Sequence, residues 1–487
     1  MKYLLGIDIG TTATKSAIFS EEGKLIDIES KSYPLFYPEK GWVEQNAEDW
    51  WDALIETAGR LVRRNKLDGD IVSISLSTQG GALVLLDKNF NPVYPAVSWM
   101  DTRARDTKDE LLKHISKSEL YRKCGWPIIE GLNFPTIYWF RRKKPEVFKK
   151  AVFFASTIDY INKLLTDRFV IDYTNLALTE FLNIEDMGYN EKALEITGLD
   201  YKNLPEIIPS GEMVGKVKKE VADEIGISRD VTVISGAHDQ YCASIGAGAT
   251  EVGDCILSAG TAWVLLATAD KLYFKGEGTE SDSIIGSVNP GIHPIRGKYG
   301  LMTSVPFGGN ALKWYRDTFR SKLTYDELNV EALKVRPCAD GLYFVPIMGS
   351  RSGRGAFVGI DGIHRIDHFT RAVFEGVAFT NRRHMELIEG SGLKVSRLIM
   401  IGGGAKSALW PEIVASVLNK KVFIPEIREA ACAGAAVLAG YGMGVFNSIG
   451  NDSMLFTGDI TVIEPDSDNV NKYNSSFNMF LSLINLV

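Results

Sequence analysis

Two short stretches set glycine and hydroxyl residues directly after an apolar strand: Gly10-Thr11-Thr12 follows "LLGIDI", and Gly260-Thr261 follows "DCILSA". In such a turn, successive backbone N–H groups can form a nest for phosphate oxygens, and glycine lets a ligand approach the chain closely. Asp8, just before the first turn, can hold Mg²⁺ through water, because that ion keeps much of its hydration shell. An ordinary hairpin needs only something like Asn-Gly between apolar runs, and either turn alone reads as one. Both turns, taken with Asp8, favour phosphate chemistry. Lys15 can add positive charge there or face solvent.

The segment "SGAHDQ" puts Asp239 at the start of a helix. The carboxylate either caps that helix or takes the proton from a hydroxyl that attacks a phosphoryl group; spacing does not separate the two. In "IGGGAKSALW" a triple glycine joins a strand to a helix, which suits a flat ligand lying on the backbone and a tight turn equally well. Other chemistries fit poorly. The nearest approach to a Walker loop, Gly291 to Gly297-Lys298, has one residue too many and Tyr299 where a hydroxyl residue is needed. His364 and His368 are four apart but lack a third metal ligand, so they read as surface or core histidines. No G-x-S-x-G elbow occurs. A net charge of -7 and the absence of a basic stripe argue against nucleic acid or an anionic membrane as partner.

These residues need a scaffold. With 487 residues, 45% of them hydrophobic, the chain is too long for one core. Strand and helix patterns alternate, which predicts an α/β fold. Residues 4–9 and 17–19 read as strands, as do 71–76 and 82–86 on either side of "STQGG", and 231–235. Residues 46–65 read as a helix capped by Asn46, with Trp51, Leu54, Ile55, Ala58, Leu61 and Val62 along one stripe; 239–247 read as another. Near residue 250 the strand, Gly-Thr turn, strand pattern begins again, so the expected domains are 1–249 and 250–487. The longest apolar run, Ala430 to Phe446, is broken by glycines and reads as a buried, closely packed helix. The last residues, "FNMFLSLINLV", read as a terminal helix. Five scattered cysteines without a C-x-x-C pair predict free thiols in a reducing compartment. The N-terminus does not read as a signal peptide, so the expected location is the cytoplasm.

Taken in order, the motifs resemble those of the FGGY family of carbohydrate kinases, the group that includes xylulokinases and glycerol kinases. "GIDIGTTATK" resembles its first phosphate motif, "GWVEQNAEDWW" a xylulokinase pattern, and "WMDTR" a substrate segment. "GAHDQ" resembles the segment of the catalytic Asp, "SAGTAW" the second phosphate motif, and "GGGAKSALW" the adenosine motif. "RGAFVGIDGIHRIDHFTRAVFEGVAF" is similar to the C-terminal signature.

The resemblance implies two actin-like, ribonuclease-H-like domains flanking a deep cleft, and ATP with Mg²⁺. It implies that Asp239 is the general base, and that Asp8 and Asp239 lie at the metal. Gly10, Thr11, Thr12, Lys15, Gly260, Thr261, Gly308, Gly309, Gly403, Gly404 and Ser407 would hold the nucleotide. Gln79, Gly80, Gly81, Trp99, Asp101, Arg103, Asp239 and Gln240 would face a ketose or polyol. Trp99 suits a core role equally, Arg103 can simply pair with Asp101, and Gln240 can cap a helix. The expected partner is a small sugar or polyol, and a homodimer is admitted. Gly80, Gly81 and Met100 depart from the xylulokinase pattern, which leaves the sugar open. Two other classes stay in view: an actin-like ATPase of the chaperone type, and a catalytically silent sugar-binding regulator.

Overall fold

The computed structural model describes residues 1–67, 69–274, 287–346 and 354–486. The chain opens with a meander, β1 (Tyr3–Ile9), β2 (Ala13–Ser20) and β3 (Leu25–Ser32), in which Asp8 stands opposite Lys15. Helix α1 (Ala47–Asn65) follows. Asn46 caps it by accepting from the Glu48 N–H, and Trp50, Ala53, Leu54, Ala58, Leu61 and Val62 are buried along one face. Trp50 takes the central position of that stripe, which leaves Trp51 and Ile55 half-buried at its margin. Strand β4 (Ile71–Thr78), helix α2 (Tyr173–Leu178), strands β5 (Met213–Lys216) and β6 (Thr232–His238) and helix α3 (Asp239–Gly246) complete the elements needed here from the first half. Of residues 82–86, only Val84–Leu86 form a strand; it pairs with 153–155, apart from the main sheet.

The second half runs β7 (Asp254–Ala259), β8 (Trp263–Ala269), β9 (Asn289–Ile292), β10 (Tyr299–Val305), α4 (Gly309–Phe319), α5 (Tyr325–Leu333) and α6 (Ile366–Gly390). Then come β11 (Arg397–Ile401), α7 (Trp410–Leu418), β12 (Val422–Pro425), α8 (Ala430–Gly442), β13 (Ile460–Ile463) and α9 (Ser467–Leu486).

The first sheet has the order β5-β6-β4-β1-β2-β3, the second β9-β10-β8-β7-β11-β12-β13. Stripped of edge strands, both read meander strand three, two, one, then two parallel strands: β3-β2-β1-β4-β6 and β10-β8-β7-β11-β12. Each parallel end is closed by one antiparallel strand, β5 or β13. The echo heard near residue 250 is therefore a repeat of topology: a ribonuclease-H-like sheet built twice.

The halves do not keep to themselves. Helix α8, though it follows the last parallel strand of the second sheet, packs across β1, β4, β6 and β2 of the first sheet and against α3. Its Cys432, Ala433, Ala435, Ala436, Val437 and Leu438 are fully buried. Glycine makes the crossing possible. A β-carbon at Gly434 would fall 1.8 Å from the Cys242 carbonyl oxygen, and one at Gly246 would fall 2.0 Å from that of Ala430, so the helix backbones touch with no side chain between them. One core joins the first sheet, α8 and the inward residues Ile256, Leu266, Ile399 and Ile401 of the second sheet. The other lies on the far side of the second sheet, where Phe374, Trp410 and the Tyr473, Phe477 and Phe480 face of α9 meet. The division near residue 250 thus separates two sheets but not two cores.

Among the described residues, all five cysteines are free thiols, and no helix is long and apolar enough to cross a membrane.

Candidate active site

Because β1, β4 and β6 are parallel, their carboxyl ends share one edge of the first sheet. That edge brings together the 10–12 turn, the Gln79-Gly80-Gly81 loop and Asp239. The turn is braced from outside: Tyr33 Oη donates to the Gly10 carbonyl at 2.6 Å, Gln45 Nε2 to the Thr11 carbonyl at 2.8 Å, and Trp99 Nε1 to Thr11 Oγ1 at 3.1 Å. Among the described residues, the N–H groups of Thr11 and Thr12 have no protein acceptor, and neither do those of Gly260 and Thr261 in the matching turn of the second half. Unpaired backbone donors in a tight turn suit phosphate oxygens.

Asp8 accepts from Ser77 Oγ at 2.7 Å. Burial and then the charge of Asp239 push its carboxyl up to about 7, against the Ser77 hydrogen bond and Lys15. Burial pushes Asp239 up to about 6, opposed by hydrogen bonds from Gln240. A carboxyl whose proton affinity is raised by burial and by a neighbouring carboxyl forms a site that a cation would relieve. Among the described residues no three His, Cys, Asp or Glu side chains cluster for a metal. A pair of carboxylates such as Asp8 and Asp239 is the kind of set that holds Mg²⁺ with phosphates and water. His364 and His368 bond their ring nitrogens to neighbouring chain: His364 Nδ1 accepts from the Asp361 N–H, and His368 Nδ1 lies 2.9 Å from Asp367.

Lys15 does not simply face solvent. It is half-buried, and its Nζ lies 2.7 Å from Glu429 Oε2. Glu429 sits just before α8, beyond the carboxyl end of β12, so this ion pair ties the carboxyl edge of the second sheet to the hairpin that carries Asp8.

The sugar-side expectations divide. Asp101 and Arg103 are fully buried and bonded to each other, with Arg103 Nη2 2.8 Å from both Asp101 Oδ2 and Glu44 Oε1. The guanidinium lies 3.9 Å above the Trp42 ring, and Asp101 accepts from the Val43 N–H at 2.6 Å. Here they brace the 42–45 segment behind Trp99. Gln79, by contrast, bonds Gln45 through Nε2 at 3.2 Å and leaves Oε1 buried without a hydrogen-bond partner among the described residues, as are Gln240 Oε1, His238 Nδ1 and Asp239 Oδ1, the last 3.1 Å from His238 Nε2. Each such atom costs about 1–3 kcal/mol if nothing ever satisfies it.

At the carboxyl edge of the second sheet lies a cavity of about 670 Å³. Gly260, Thr261, Gly309, Gly403, Gly404 and Ser407, six of the residues expected at the nucleotide, line it. Gly308 stands behind, because a β-carbon there would meet Trp263 at 2.2 Å; one at Gly309 would fall 2.3 Å from the Gly260 carbonyl oxygen. The Gly309 N–H in turn bonds that oxygen at 3.2 Å, which fixes the second turn to the start of α4. A flat, phosphate-bearing molecule fits a void walled by glycine backbone and open amides.

Sequence reasoning missed several residues of both edges. Ser77, Gln45, His238 and Glu429 are brought in by strand ends and loops far apart in the chain. Asn310, Lys313, Tyr325, Asp326, Asn329 and Lys406 also line the cavity, and Ser407 Oγ donates to Asn329 Oδ1 at 2.7 Å. The one local signal was the Thr324–Glu327 capping box, which starts α5 at the cavity wall.

The chain is similar to known proteins. Residues 3–246 match the N-terminal domain, and residues 255–443 the C-terminal domain, of the FGGY family of carbohydrate kinases. The chain is 30% identical to a xylulose kinase of Bacillus subtilis over 99% of its own length and 97% of the relative's. It is 29% identical to a gluconokinase of the same organism, over 100% and 96%. A crystal structure of gluconate kinase from Lactobacillus acidophilus superimposes with a TM-score of 0.92 at 26% identity, covering 99% of this chain and 97% of that one. Neither the chaperone-type ATPase nor the silent regulator is favoured by these relatives. The two matched domains, the repeated sheet and the paired turns agree that this chain belongs to the FGGY family of carbohydrate kinases and is a sugar kinase.

Proposed function

We propose that the protein transfers the γ-phosphate of ATP to a primary hydroxyl of a ketose or polyol, with Asp239 as the general base. The observation that carries this reading is that the chain holds two turns whose amides are unpaired among the described residues, together with a half-buried carboxylate, Asp239, whose Oδ1 accepts no hydrogen bond. Asp239 accepts the hydroxyl proton as the oxygen attacks phosphorus. The N–H groups of Thr11, Thr12, Gly260 and Thr261 hold phosphate oxygens as charge redistributes in the transition state. Adenosine occupies the cavity at Gly403, Gly404 and Ser407. Asp8, with Asp239 beside it, would hold Mg²⁺, which neutralises phosphate charge when bound. Gln79, Trp99 and Gln240 flank the sugar, while Asp101 and Arg103 support that wall from behind. Lys15 exchanges its Glu429 partner for phosphate when ATP arrives.

The test is ADP release from Mg²⁺-ATP with a panel containing D-xylulose, D-gluconate, other ketoses and polyols. One ketose or polyol should stimulate release strongly above the sugar-free rate. Stimulation by gluconate alone would move the substrate to the aldonates. ATP hydrolysis indifferent to every member would sink the kinase reading.

A further inference from the structure

Between β4 and β5 the chain inserts helices and short hairpins, and these enclose a second cavity, of about 810 Å³. It shares no lining residue with the cavity at the second sheet. None of the residues assigned above to ATP, metal or sugar borders it. Part of its wall is aromatic. Tyr189 and Tyr201 meet edge to face, with ring centroids 5.9 Å apart. Tyr189 is buried and donates its Oη to the Pro205 carbonyl at 2.6 Å, whereas Tyr201 is 54% exposed, so much of its ring is uncovered.

Asn190 borders the same space and is 4% exposed. Its Oδ1 is already used: it caps the short helix Glu191–Thr197 by accepting from the Lys192 and Ala193 N–H groups. Its Nδ2 is buried and, among the described residues, has no hydrogen-bond partner. An open buried donor is unfavourable, and on a cavity wall a ligand's acceptor can satisfy it.

The charges narrow the ligand. Lys123 bonds Glu185 at 2.8 Å, and Lys192 lies 3.5 Å from Glu195, so acids outside the lining neutralise both cations. Glu206 is paired in the same way with Arg168. Asp186 accepts only from the Asn183 amide, and Glu191 only from Tyr201 Oη at 3.4 Å; among the described residues neither forms an ion pair. Two such carboxylates repel a phosphate or any other anion. An ammonium or metal ion would suit them but leave the Asn190 donor open, and an apolar molecule would satisfy neither. A hydroxyl group does both, because it donates to a carboxylate and accepts from an amide. A sugar also has a C–H face to lay on an aromatic ring.

We propose that this cavity is a second, non-catalytic binding site for a neutral sugar or polyol. Asn190, Asp186 and Glu191 take its hydroxyl groups, and Tyr201 takes its C–H face. The site admits an unphosphorylated sugar and turns away a phosphate ester of the same skeleton. It stands apart from the kinase reading, so either can fail without the other.

The test is equilibrium dialysis of the full chain against labelled D-xylulose, D-xylitol and D-glucose, repeated with Asn190→Asp and Tyr201→Ala. Asn190→Asp keeps an oxygen for the helix cap and removes only the amide donor; Tyr201 is exposed, so its truncation spares the core. At least one of the three probes should bind the wild type in an equivalent that each variant weakens by roughly tenfold or more, while ADP release stays within about twofold of the wild type. The phosphate ester of that probe should compete for the same equivalent at least about tenfold less well. Failure of all three probes to bind overturns the inference, as does binding that either variant leaves unchanged. Equal competition by the phosphate ester overturns the assigned ligand class. A matching loss of ADP release in both variants would mean that the cavity is not separate from the active site, and would overturn the inference as well.

Discussion

The two carboxyl edges share one topology and serve opposite ends. The first sheet's edge is crowded and acidic: the charge of Asp239 raises the proton affinity of buried Asp8, and, among the described residues, amide and imidazole atoms lie buried without hydrogen-bond partners. The second sheet's edge is a void of about 670 Å³ walled by glycine and small polar residues. The meander turn is the shared part, with open amides in both. What distinguishes the edges follows the two parallel strands: Gln79 and His238-Asp239 in one, Gly402-Gly403-Gly404 and Glu429 in the other. On the function proposed above, a repeated scaffold supplies a phosphate grip twice, and the residues after its fourth and fifth strands decide whether the edge performs proton chemistry or receives a flat ligand.

The comparison can be broken first at Asp239. Asp239→Asn should cut sugar phosphorylation by about 10²–10⁴-fold while ATP affinity, read by titration, changes little; near-normal turnover would end the base assignment. The converse change is Gly309→Val. Its added carbon collides with the Gly260 carbonyl, so the KM for ATP should rise on the order of tenfold to a hundredfold, with sugar affinity kept. A loss confined to sugar binding would mean that the two edges are not divided as described.

Acidity separates the edges more finely. The base must be ionised, and its carboxyl is pushed up to about 6. The kcat/KM for sugar should therefore be level above about pH 7 and fall about tenfold per unit below about pH 5.5. A profile flat down to pH 5 would contradict this. The smallest effect is on stability. Asp8 titrates at about 7 when folded, against about 3.9 when unfolded. The folded state therefore holds the proton more tightly, and the stability this brings is fully present below about pH 4 and lost as pH rises through 7. Asp8→Asn should raise the melting temperature at pH 8 by on the order of 2 °C, and by less at pH 5. An equal shift at both values would assign the gain to something other than charge.

Local features were legible in the sequence. The first meander, the Asn46 cap, the start of α3 at Asp239 and the glycines of the cavity all depend on neighbours within a few residues. Features made by distant pairing were not. Lys15 read as free or phosphate-facing because Glu429, its partner in the structure, lies in the other half. Arg103 and Asp101 read as sugar contacts, although their local pairing was foreseen; the Glu44 and Trp42 that complete the cage gave no periodic signal. His238 went unnoticed beside a more conspicuous carboxylate. Residues 82–86 read as one strand because apolar content does not show where pairing begins. The run from 430 was recognised as a buried helix, but composition cannot say which sheet it covers.

That last placement has a bearing on how the chain can be divided. A fragment ending at residue 249 would keep every strand of the first sheet yet lose Val437, Leu438 and the alanines that roof it, baring an oily surface to water. A fragment starting at 250 would carry that roof with nothing beneath. Severed halves should then be sticky alone and regain order only when mixed, each acting as the other's missing lid.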